Sequence, residues 1–276
     1  MRTWFITGAS RGLGALIAQR ALLAGDAVIA TARKPEDVEA RLGSHPNLLA
    51  LRLDVTQEAE AHQAVAAGIR QFGRIDVLIN NAGFGVLGAV EETSASETER
   101  LFATNVFGVL NVTRAVLPHM RRQRSGHIIN ISSIGGYQAY MGWGVYGSTK
   151  FAVEGITEAL YQELAPLGIH ATVVEPGFFR TDFLDEQSLL KTALELPDYD
   201  DTVGAVRRFA KDYNHAQPGD PNKFAEAMLA LVDAPKPPQR LALGSDTVAR
   251  IEQKHSFVSA ELAEWRALSL STDFDA

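Results

Sequence analysis

The sequence lacks cysteine altogether, which excludes disulfide bridges and thiolate metal sites. It also lacks an uninterrupted apolar run of the roughly 18 residues that a bilayer-spanning helix needs. Histidine is sparse, with seven residues in all, and none of them shows the H-x-x-x-H spacing of a metal-ligand pair. We therefore expect neither a membrane-spanning protein nor a metal site.

Positive charge is scarce as well: 26 Lys and Arg residues stand against 33 Asp and Glu residues, a net charge of -7. This balance argues against nucleic acid as the main partner. The opening stretch MRTWFITGAS begins a strand-like apolar run at once, without the charged region and long apolar segment of a signal peptide. We expect a cytoplasmic protein that binds neither nucleic acid nor membrane.

The 276 residues suit one large α/β domain, 1–276, because 46% are apolar and 21% charged, near the average for globular proteins. Short apolar runs alternate with amphipathic stretches such as 13–25 and 97–120, which predicts a parallel sheet covered by helices on both faces. The predicted strands are 3–7, 27–32, 48–55, 75–83, 126–133, 170–177 and 240–244. We expect a Rossmann-type doubly wound fold with strand order 3-2-1-4-5-6-7.

The stretch 185–222 breaks this alternation and is rich in Asp, Tyr and Pro. A long insertion inside a compact domain is usually functional. We therefore expect a small helical cap over the substrate at 185–232. A helical tail, 246–276, is expected after the last strand.

A glycine-rich turn, TGASRGLG at 7–14, follows the first predicted strand. Gly8, Gly12 and Gly14 permit a tight turn and let a pyrophosphate approach backbone N–H groups at the positive end of the next helix. The spacing differs from the commoner G-x-G-x-x-G form. Taken alone, the turn is also compatible with a purely structural strand-to-helix connection.

A tyrosine and a lysine stand four positions apart in VYGSTK, at Tyr146 and Lys150. On a helix the two share one face, where an ammonium favours the ionised form of a neighbouring phenol. The alternative is an ordinary surface pair. Ser133 stands thirteen residues upstream, and a hydroxyl there would polarise a carbonyl while the phenol donates a proton.

Taken in order, these motifs resemble the short-chain dehydrogenase/reductase family over residues 3 to about 183. The resemblance implies hydride transfer with a nicotinamide cofactor and a catalytic tetrad of Asn105, Ser133, Tyr146 and Lys150. It implies cofactor contacts from Gly8, Ser10, Arg11, Gly12, Leu13, Gly14, Arg33, Asp54, Val55, Asn81, Ala82, Gly83, Asn105, Tyr146, Lys150, Pro176, Gly177, Phe179 and Thr181. By the same resemblance Asp54 contacts adenine, Asn105 completes the lysine's relay, and Thr181 contacts nicotinamide.

Three of these assignments have structural alternatives. Asp54 is also a candidate cap for a helix beginning near Gln57. Asn105 lies in an apolar helix, where its poor propensity favours a hydrogen-bonding role over an indifferent one. Ser132, next to Ser133, is interpreted as structural.

The end of the second predicted strand indicates the cofactor. NAD-preferring enzymes place a carboxylate there, whereas this chain has Ala32 followed by Arg33. Asp26 lies at the opposite, amino end of that strand. NADP(H) carries a 2′-phosphate that NAD(H) lacks, and Arg33 and Arg11 are two cations that can bind it. The sequence therefore predicts NADP(H). Solvated surface charge is the alternative interpretation of both arginines.

The substrate is predicted to be a hydrophobic carbonyl or secondary alcohol. Tyr140 and Trp143 precede the catalytic tyrosine, and Phe183 follows Thr181. Packing beneath a loop or at a subunit interface is an equally good interpretation of Tyr140 and Trp143. The PGFFRTDF segment and the tail most resemble a bacterial subgroup related to 17β-hydroxysteroid dehydrogenases, whose members need not use steroids.

We predict an NADP-dependent carbonyl reductase or alcohol dehydrogenase. The alternatives are a 3-ketoacyl reductase-type enzyme, whose chains usually stop soon after the last strand, and a non-catalytic NADP(H)-sensing regulator, which is expected to lack the Tyr or Lys. The family resemblance also implies a homodimer or homotetramer formed through the helices at 97–120 and 146–165.

Overall fold

Parallel strands form the main sheet of the computed structural model, which describes residues 1–274. The strands in this part of the chain are β1 (Thr3–Thr7), β2 (Ala27–Ala32), β3 (Leu48–Arg52), β4 (Val77–Asn80), β5 (Gly85–Leu87), β6 (Gly126–Ile131), β7 (Ile169–Pro176), β8 (Leu189–Lys191) and β9 (Arg240–Leu243). Seven of them are ordered β3-β2-β1-β4-β6-β7-β9, and β5 pairs separately with β8. When β5 and β8 are left out and the seven strands of the main sheet are numbered in chain order, their order is 3-2-1-4-5-6-7. This confirms the predicted sheet.

Helices cover both faces of this sheet. Within the described residues they are α1 (Gly12–Leu23), α2 (Pro35–Leu42), α3 (Glu58–Phe72), α4 (Ala95–Phe102), α5 (Gly108–Gln123), α6 (Gly144–Leu164), α7 (Ala205–Tyr213), α8 (Pro221–Asp233) and α9 (Ser245–Leu270). A π-helical turn, Ala103–Phe107, joins α4 to α5. The doubly wound arrangement follows from strands that are buried on both sides.

The alternation of side chains along β1 shows how the two layers arise. Trp4 and Ile6 point to the face covered by α1 and α8, whereas Phe5 points to the face covered by α3 and α5. All three side chains are fully buried. A parallel strand that packs on both faces must be apolar throughout, and this is why TWFIT is recognisable as a strand in the sequence.

The predicted cap, 185–232, divides into two parts in the structure. Residues 185–220 contain β8, short helical turns and α7. By contrast, α8 packs on α1 and places Phe224 and Met228 in the main core. The amphipathic pattern of α8 identifies a helix but not the surface it covers, so the segment that remains available as a cap is 185–220.

The predicted tail begins as α9, whose residues are exposed from position 255 to its end. Its first turn contacts the end of β7, as described below. Residues 275–276 of the predicted tail lie outside the described residues.

One continuous helical stretch, Ala95–Gln123, is long and apolar enough by composition to cross a membrane. Inside the fold, 56% of its most apolar window is buried. Val112, Val116 and Met120 of α5 pack in the core beneath the sheet. The stretch therefore serves as a core helix, which accounts for its apolar composition.

A buried histidine makes the stability of this fold dependent on pH. His127 of β6 is 5% exposed, and its Nε2 lies 2.9 Å from the Thr172 hydroxyl. Burial, assisted by His170, lowers the pKa of His127 to about 3. The folded state therefore stays unprotonated at His127, while the unfolded chain takes up a proton there below about pH 6.5.

Replacing His127 with Gln should remove this dependence while keeping a hydrogen-bonding side chain near Thr172. Because the unfolded wild type binds more protons, its free energy of unfolding should fall by about 1.4 kcal/mol per pH unit, relative to the variant, as the pH drops below about 6. Urea unfolding of both proteins between about pH 4 and pH 7 measures the difference. Parallel stability curves over that range would contradict the assignment.

Candidate active site

The glycine-rich turn between β1 and α1 has the open backbone that a phosphate-binding loop requires. Gly8 and Gly12 have φ of +64° and +54°, in the left-handed region that favours glycine. A Cβ on Gly14 would lie 2.5 Å from the Gly8 carbonyl oxygen, whereas a Cβ on Gly12 would meet no atom within 4 Å. The turn is thus tightly packed at Gly14 but open at Gly12, at the N-terminus of α1. This geometry fits a dinucleotide pyrophosphate.

The end of β4 fixes this turn in place. The Thr7 hydroxyl accepts hydrogen bonds from the backbone N–H groups of Asn81 and Ala82, both at 3.0 Å. In return, the Asn81 amide donates to the carbonyl oxygens of Thr7 and Gly8, at 3.0 and 3.1 Å. The NNAG motif therefore locks the glycine turn to the neighbouring strand, and it does so through its second asparagine.

Ser133, Tyr146 and Lys150 meet at the carboxyl edge of the sheet. Ser133 follows the end of β6, and its hydroxyl accepts from the Gly135 N–H at 3.0 Å. It lies beside the Tyr146 ring, since a Cβ on Gly135 would be 3.4 Å from the Ser133 hydroxyl and 3.6 Å from a ring carbon of Tyr146. Lys150 lies one turn further along α6, where its ammonium donates to the Ile131 carbonyl oxygen at 2.9 Å. Its Nζ is 5.8 Å from the centre of the Tyr146 ring. The sequence spacing thus brings a phenol, a hydroxyl and an ammonium together.

Burial dominates the ionisation of this group. It raises the pKa of Tyr146 above the ordinary phenol value, and the neighbouring Ser133 hydroxyl offsets only part of the rise. Burial also lowers the pKa of Lys150 to about 8, against the opposing effect of Glu154. The protein's own groups thus do not make Tyr146 acidic. The Lys150 ammonium, which the sequence predicts to favour the ionised phenol, does not offset the effect of burial.

Asn105 occupies the π-helical turn and is almost completely buried. Its side-chain amide donates to the Phe84 carbonyl at 2.9 Å and to the Thr149 hydroxyl at 3.2 Å. Its carbonyl oxygen accepts from the Phe84 N–H at 3.1 Å. Asn105 therefore ties the loop after β4 to α6, next to the tyrosine and lysine.

The segment after β7 is held by the first turn of α9. A carboxylate oxygen of Asp246 accepts from the Phe178 N–H at 2.8 Å, and a Cβ on Gly177 would lie 2.1 Å from the same carboxylate. Beyond Pro176, Phe179 packs on Phe224 of α8, with ring centres 5.1 Å apart. A side chain at position 177 would thus require the Asp246 carboxylate to move from this position.

Thr181 lies near the glycine turn. Its hydroxyl accepts from the Phe183 N–H at 3.4 Å, at the start of a short helical turn. A cleft of about 400 Å³ has Gly12 and Thr181 in its wall, together with Arg180. The two predicted cofactor segments, 7–14 and 176–181, therefore border the same cleft.

The contacts that attach the candidate cap, 185–220, to this region include a strand pair, a hydrogen-bonded arginine and an ion pair. β8 pairs with β5 directly after the NNAG motif. The Arg11 guanidinium donates to the side-chain and backbone oxygens of Gln187, at 2.6 and 2.8 Å. The third attachment is an ion pair of 2.6 Å between Arg207 of α7 and Glu92, whose side chain is fully buried. Arg11 thus bridges the glycine turn and the cap.

Aromatic rings surround the Tyr146 phenol. Trp143 and Phe183 each lie 5.7 Å from the Tyr146 ring, centre to centre, and 6.4 Å from each other. Tyr140 is not part of this group, because its ring packs against Arg250 of α9 at 5.8 Å. Of the two interpretations of Tyr140, this contact favours packing under the tail helix, whereas Trp143 and Phe183 border the Tyr146 phenol.

The arginine expected to select the cofactor is exposed at the end of β2. Arg33 follows Ala32, and Arg52 at the end of β3 donates to the Arg33 carbonyl oxygen at 3.1 Å. Arg52 was not singled out in the sequence, since only strand pairing brings it beside Arg33. Asp26 binds the Arg2 N–H and the Trp4 indole at the amino end of the sheet, away from this edge.

Asp54 forms a turn and does not cap a helix. Its carboxylate accepts from the backbone N–H and the hydroxyl of Thr56, at 3.0 and 2.8 Å. The N-cap of α3 is Gln57. The neighbouring Val55 carbonyl accepts from the Asn111 amide at 3.0 Å, which fixes this loop to α5.

Comparison with known proteins identifies the family. The family model described as short chain dehydrogenase matches residues 2–190, and the chain belongs to this family. It is 41% identical over 273 residues to the Oxidoreductase BOA17 of Botryotinia fuckeliana. The alignment covers 98% of this chain and 99% of that protein. It is 40% identical over 240 residues to the 3-ketodihydrosphingosine reductase of Bacteroides thetaiotaomicron, covering 87% and 86% of the two chains.

Solved structures agree in fold and indicate the cofactor class. A short-chain dehydrogenase from Streptomyces avermitilis superposes with a TM-score of 0.92 at 42% identity, over 99% of each chain. A serine dehydrogenase complexed with NADP+ has a TM-score of 0.73 at 29% identity, covering 87% of this chain and 94% of that one. A Burkholderia phymatum family member in complex with NAD has a TM-score of 0.82 at 24% identity, covering 94% and 95%. The chain is thus a nicotinamide-dependent oxidoreductase.

Proposed function

We propose that the protein is an NADP(H)-dependent oxidoreductase that interconverts a hydrophobic ketone and a secondary alcohol, with Tyr146 as the acid/base. One observation carries this proposal: three groups lie close together at the carboxyl edge of the sheet. They are the Ser133 hydroxyl and the buried Tyr146 phenol and Lys150 ammonium. Ligands of doubly wound folds bind at that edge. A sensor without catalysis has no need of all three groups.

The roles of the chain's own residues follow from the charge that develops on the carbonyl oxygen during reduction. The bound nicotinamide supplies or accepts the hydride. Ser133 donates a hydrogen bond that polarises the carbonyl, and Tyr146 gives up its proton to the oxygen. Lys150 binds the ribose and stabilises the resulting Tyr146 phenolate. Asn105 holds the hydrogen-bond relay of the lysine, through which a proton returns to the phenolate.

The surroundings of Tyr146 support a hydrophobic substrate. Trp143 and Phe183 lie within 6 Å of its ring centre, and the cap adds Leu190 to the same apolar cluster. Apolar walls with a few polar groups are typical of small-molecule sites. The name of the Bacteroides relative, a reductase of a 3-keto compound, agrees with a ketone substrate and keeps a 3-ketoacyl substrate within the proposed class.

We further propose a cytoplasmic homodimer or homotetramer formed through the helices at 97–120 and 146–165. The large apolar side chains Phe107 and Phe151 support this surface, because they are 55% and 44% exposed. Exposed aromatic residues at the centre of a patch are typical of protein interfaces.

Replacing Tyr146 with Phe tests the acid/base assignment. The change removes only the hydroxyl, so turnover of a ketone panel with NADPH should be lost while cofactor affinity stays nearly intact. Tyr161→Phe, on the same helix, is the matched control and should keep both properties. Near-normal turnover by the Tyr146 variant would show that the assignment is wrong.

Replacing Arg33 with Ala tests the choice of NADP(H). Hydrogen bonds to a charged group contribute roughly 1.5–3 kcal/mol each, so kcat/KM for NADPH should fall about ten- to a hundred-fold. NADH has no 2′-phosphate, and its use should hardly change. Arg121→Ala, at the exposed end of α5, is the control. Equal losses with both cofactors, or a wild type that prefers NADH, would refute the proposal.

A further inference from the structure

A buried acidic cluster lies behind Lys150 on the side away from the aromatic rings. Glu154 of α6 and Glu175 of β7 are 4% and 1% exposed. Both bind the guanidinium of Arg240 from β9, which lies 2.7 Å from Glu175. Glu158, one turn beyond Glu154, binds the other nitrogen of the same guanidinium at 2.6 Å.

Three carboxylates thus share one cation, and two of them are out of contact with water. Burial, reinforced by Glu175, raises the pKa of Glu154 to about 7, while the Ser132 hydroxyl and Arg240 act in the opposite direction. Near neutral pH the carboxyl of Glu154 therefore changes its charge.

The acidic cluster adjoins the candidate active site through Glu154 and Ser132. Glu154 is one helical turn from Lys150 on the same face of α6, and its charge opposes the loss of the lysine's proton on burial. Ser132, which faces Glu154, is also packed against the lysine's surroundings: a Cβ on Gly136 would lie 2.5 Å from the Ser132 hydroxyl and 3.0 Å from Lys150. Neither Ser132 Oγ nor Glu154 Oε1 completes a well-aligned hydrogen bond within residues 1–274.

We propose that Glu154 is a positioning residue for the proposed reaction: its negative charge, buried one helical turn from Lys150, keeps that ammonium protonated where it binds the cofactor. The inference rests on the proposed function, in which Lys150 acts as a cation. Without a carboxylate behind it, an ammonium this deeply buried loses its proton closer to neutral pH.

The other titratable and polar groups around Glu154 and Lys150 come from several elements of the fold. They are Glu158 and Tyr146 on α6, the Ser132 hydroxyl after β6, Glu175 on β7, Arg240 on β9, and Tyr137, whose ring lies 5.3 Å from Arg240 and whose hydroxyl contacts His255 of α9. Glu154 opposes the loss of the proton from Lys150. Glu175 binds the same arginine but lies on β7 and not one helical turn from the lysine, and this makes it a matched control.

The experiment measures the dissociation constant of NADPH by its fluorescence between about pH 6 and pH 10. Affinity should fall as Lys150 loses its proton, with a midpoint near pH 8 in the wild type. In Glu154→Gln the midpoint should move down by about one pH unit. In Glu175→Gln it should move by less than about 0.3 unit, because Glu154 is already mostly ionised in that range.

Three further variants separate the possible results. Lys150→Met should bind NADPH weakly, and its affinity should not fall further at alkaline pH. If the alkaline fall in affinity persists in this variant, the inference is overturned. Glu154→Asp keeps the charge and should restore the wild-type midpoint. Glu154→Met fills the same volume and replaces the Gln variant if that fails to fold.

Equal shifts in Glu154→Gln and Glu175→Gln would mean that the cluster is only structural, and this would overturn the inference while leaving the proposed function intact. A wild type that binds neither NADPH nor NADH would instead refute the proposed function, and the inference with it.

Discussion

A phenol and an ammonium buried side by side are the constraint on which this site depends. Water is excluded from both Tyr146 and Lys150, and burial disfavours the charged form of each. Each group can carry charge only if the other, or something nearby, compensates for it. We therefore expect the phenol to ionise only when a partner adds positive charge next to it.

The fold brings these groups together through long-range contacts at one edge of the sheet. Ser133 and the Ile131 carbonyl come from the end of β6 and orient the phenol and the ammonium. The opposite wall is the glycine turn, locked to β4 by Thr7 and Asn81. These segments are far apart in the sequence and meet because parallel strands end at the same edge.

Much of this arrangement was predictable because its signals are local. Buried strands are read from uninterrupted apolar runs, and Tyr146 and Lys150 are read from a four-residue spacing on one helix. The packing of α8 was not predictable, since an amphipathic pattern shows that a helix has an apolar face but not which surface it meets. Only strand pairing reveals that Arg52 lies beside Arg33.

The acidic cluster illustrates the same limit of sequence reasoning. Glu154 follows Lys150 by four residues, so its place on the same helical face was readable in advance. Glu175 and Arg240, however, reach it from two other strands, and no local pattern marks them. Local spacing thus identifies the reacting groups, whereas the charges that control their ionisation depend on the assembled sheet.

The ionisation of Tyr146 is the most direct test of this account. Ultraviolet difference spectra of the wild type, with Tyr146→Phe as the blank, report phenolate formation as the pH is raised. With NADP+ bound, one phenolate per chain should form well below pH 10, whereas in the protein alone it should form only above the ordinary tyrosine range. If NADP+ leaves the titration of Tyr146 unchanged, the account of a buried phenol that ionises only beside the cofactor's positive charge is contradicted.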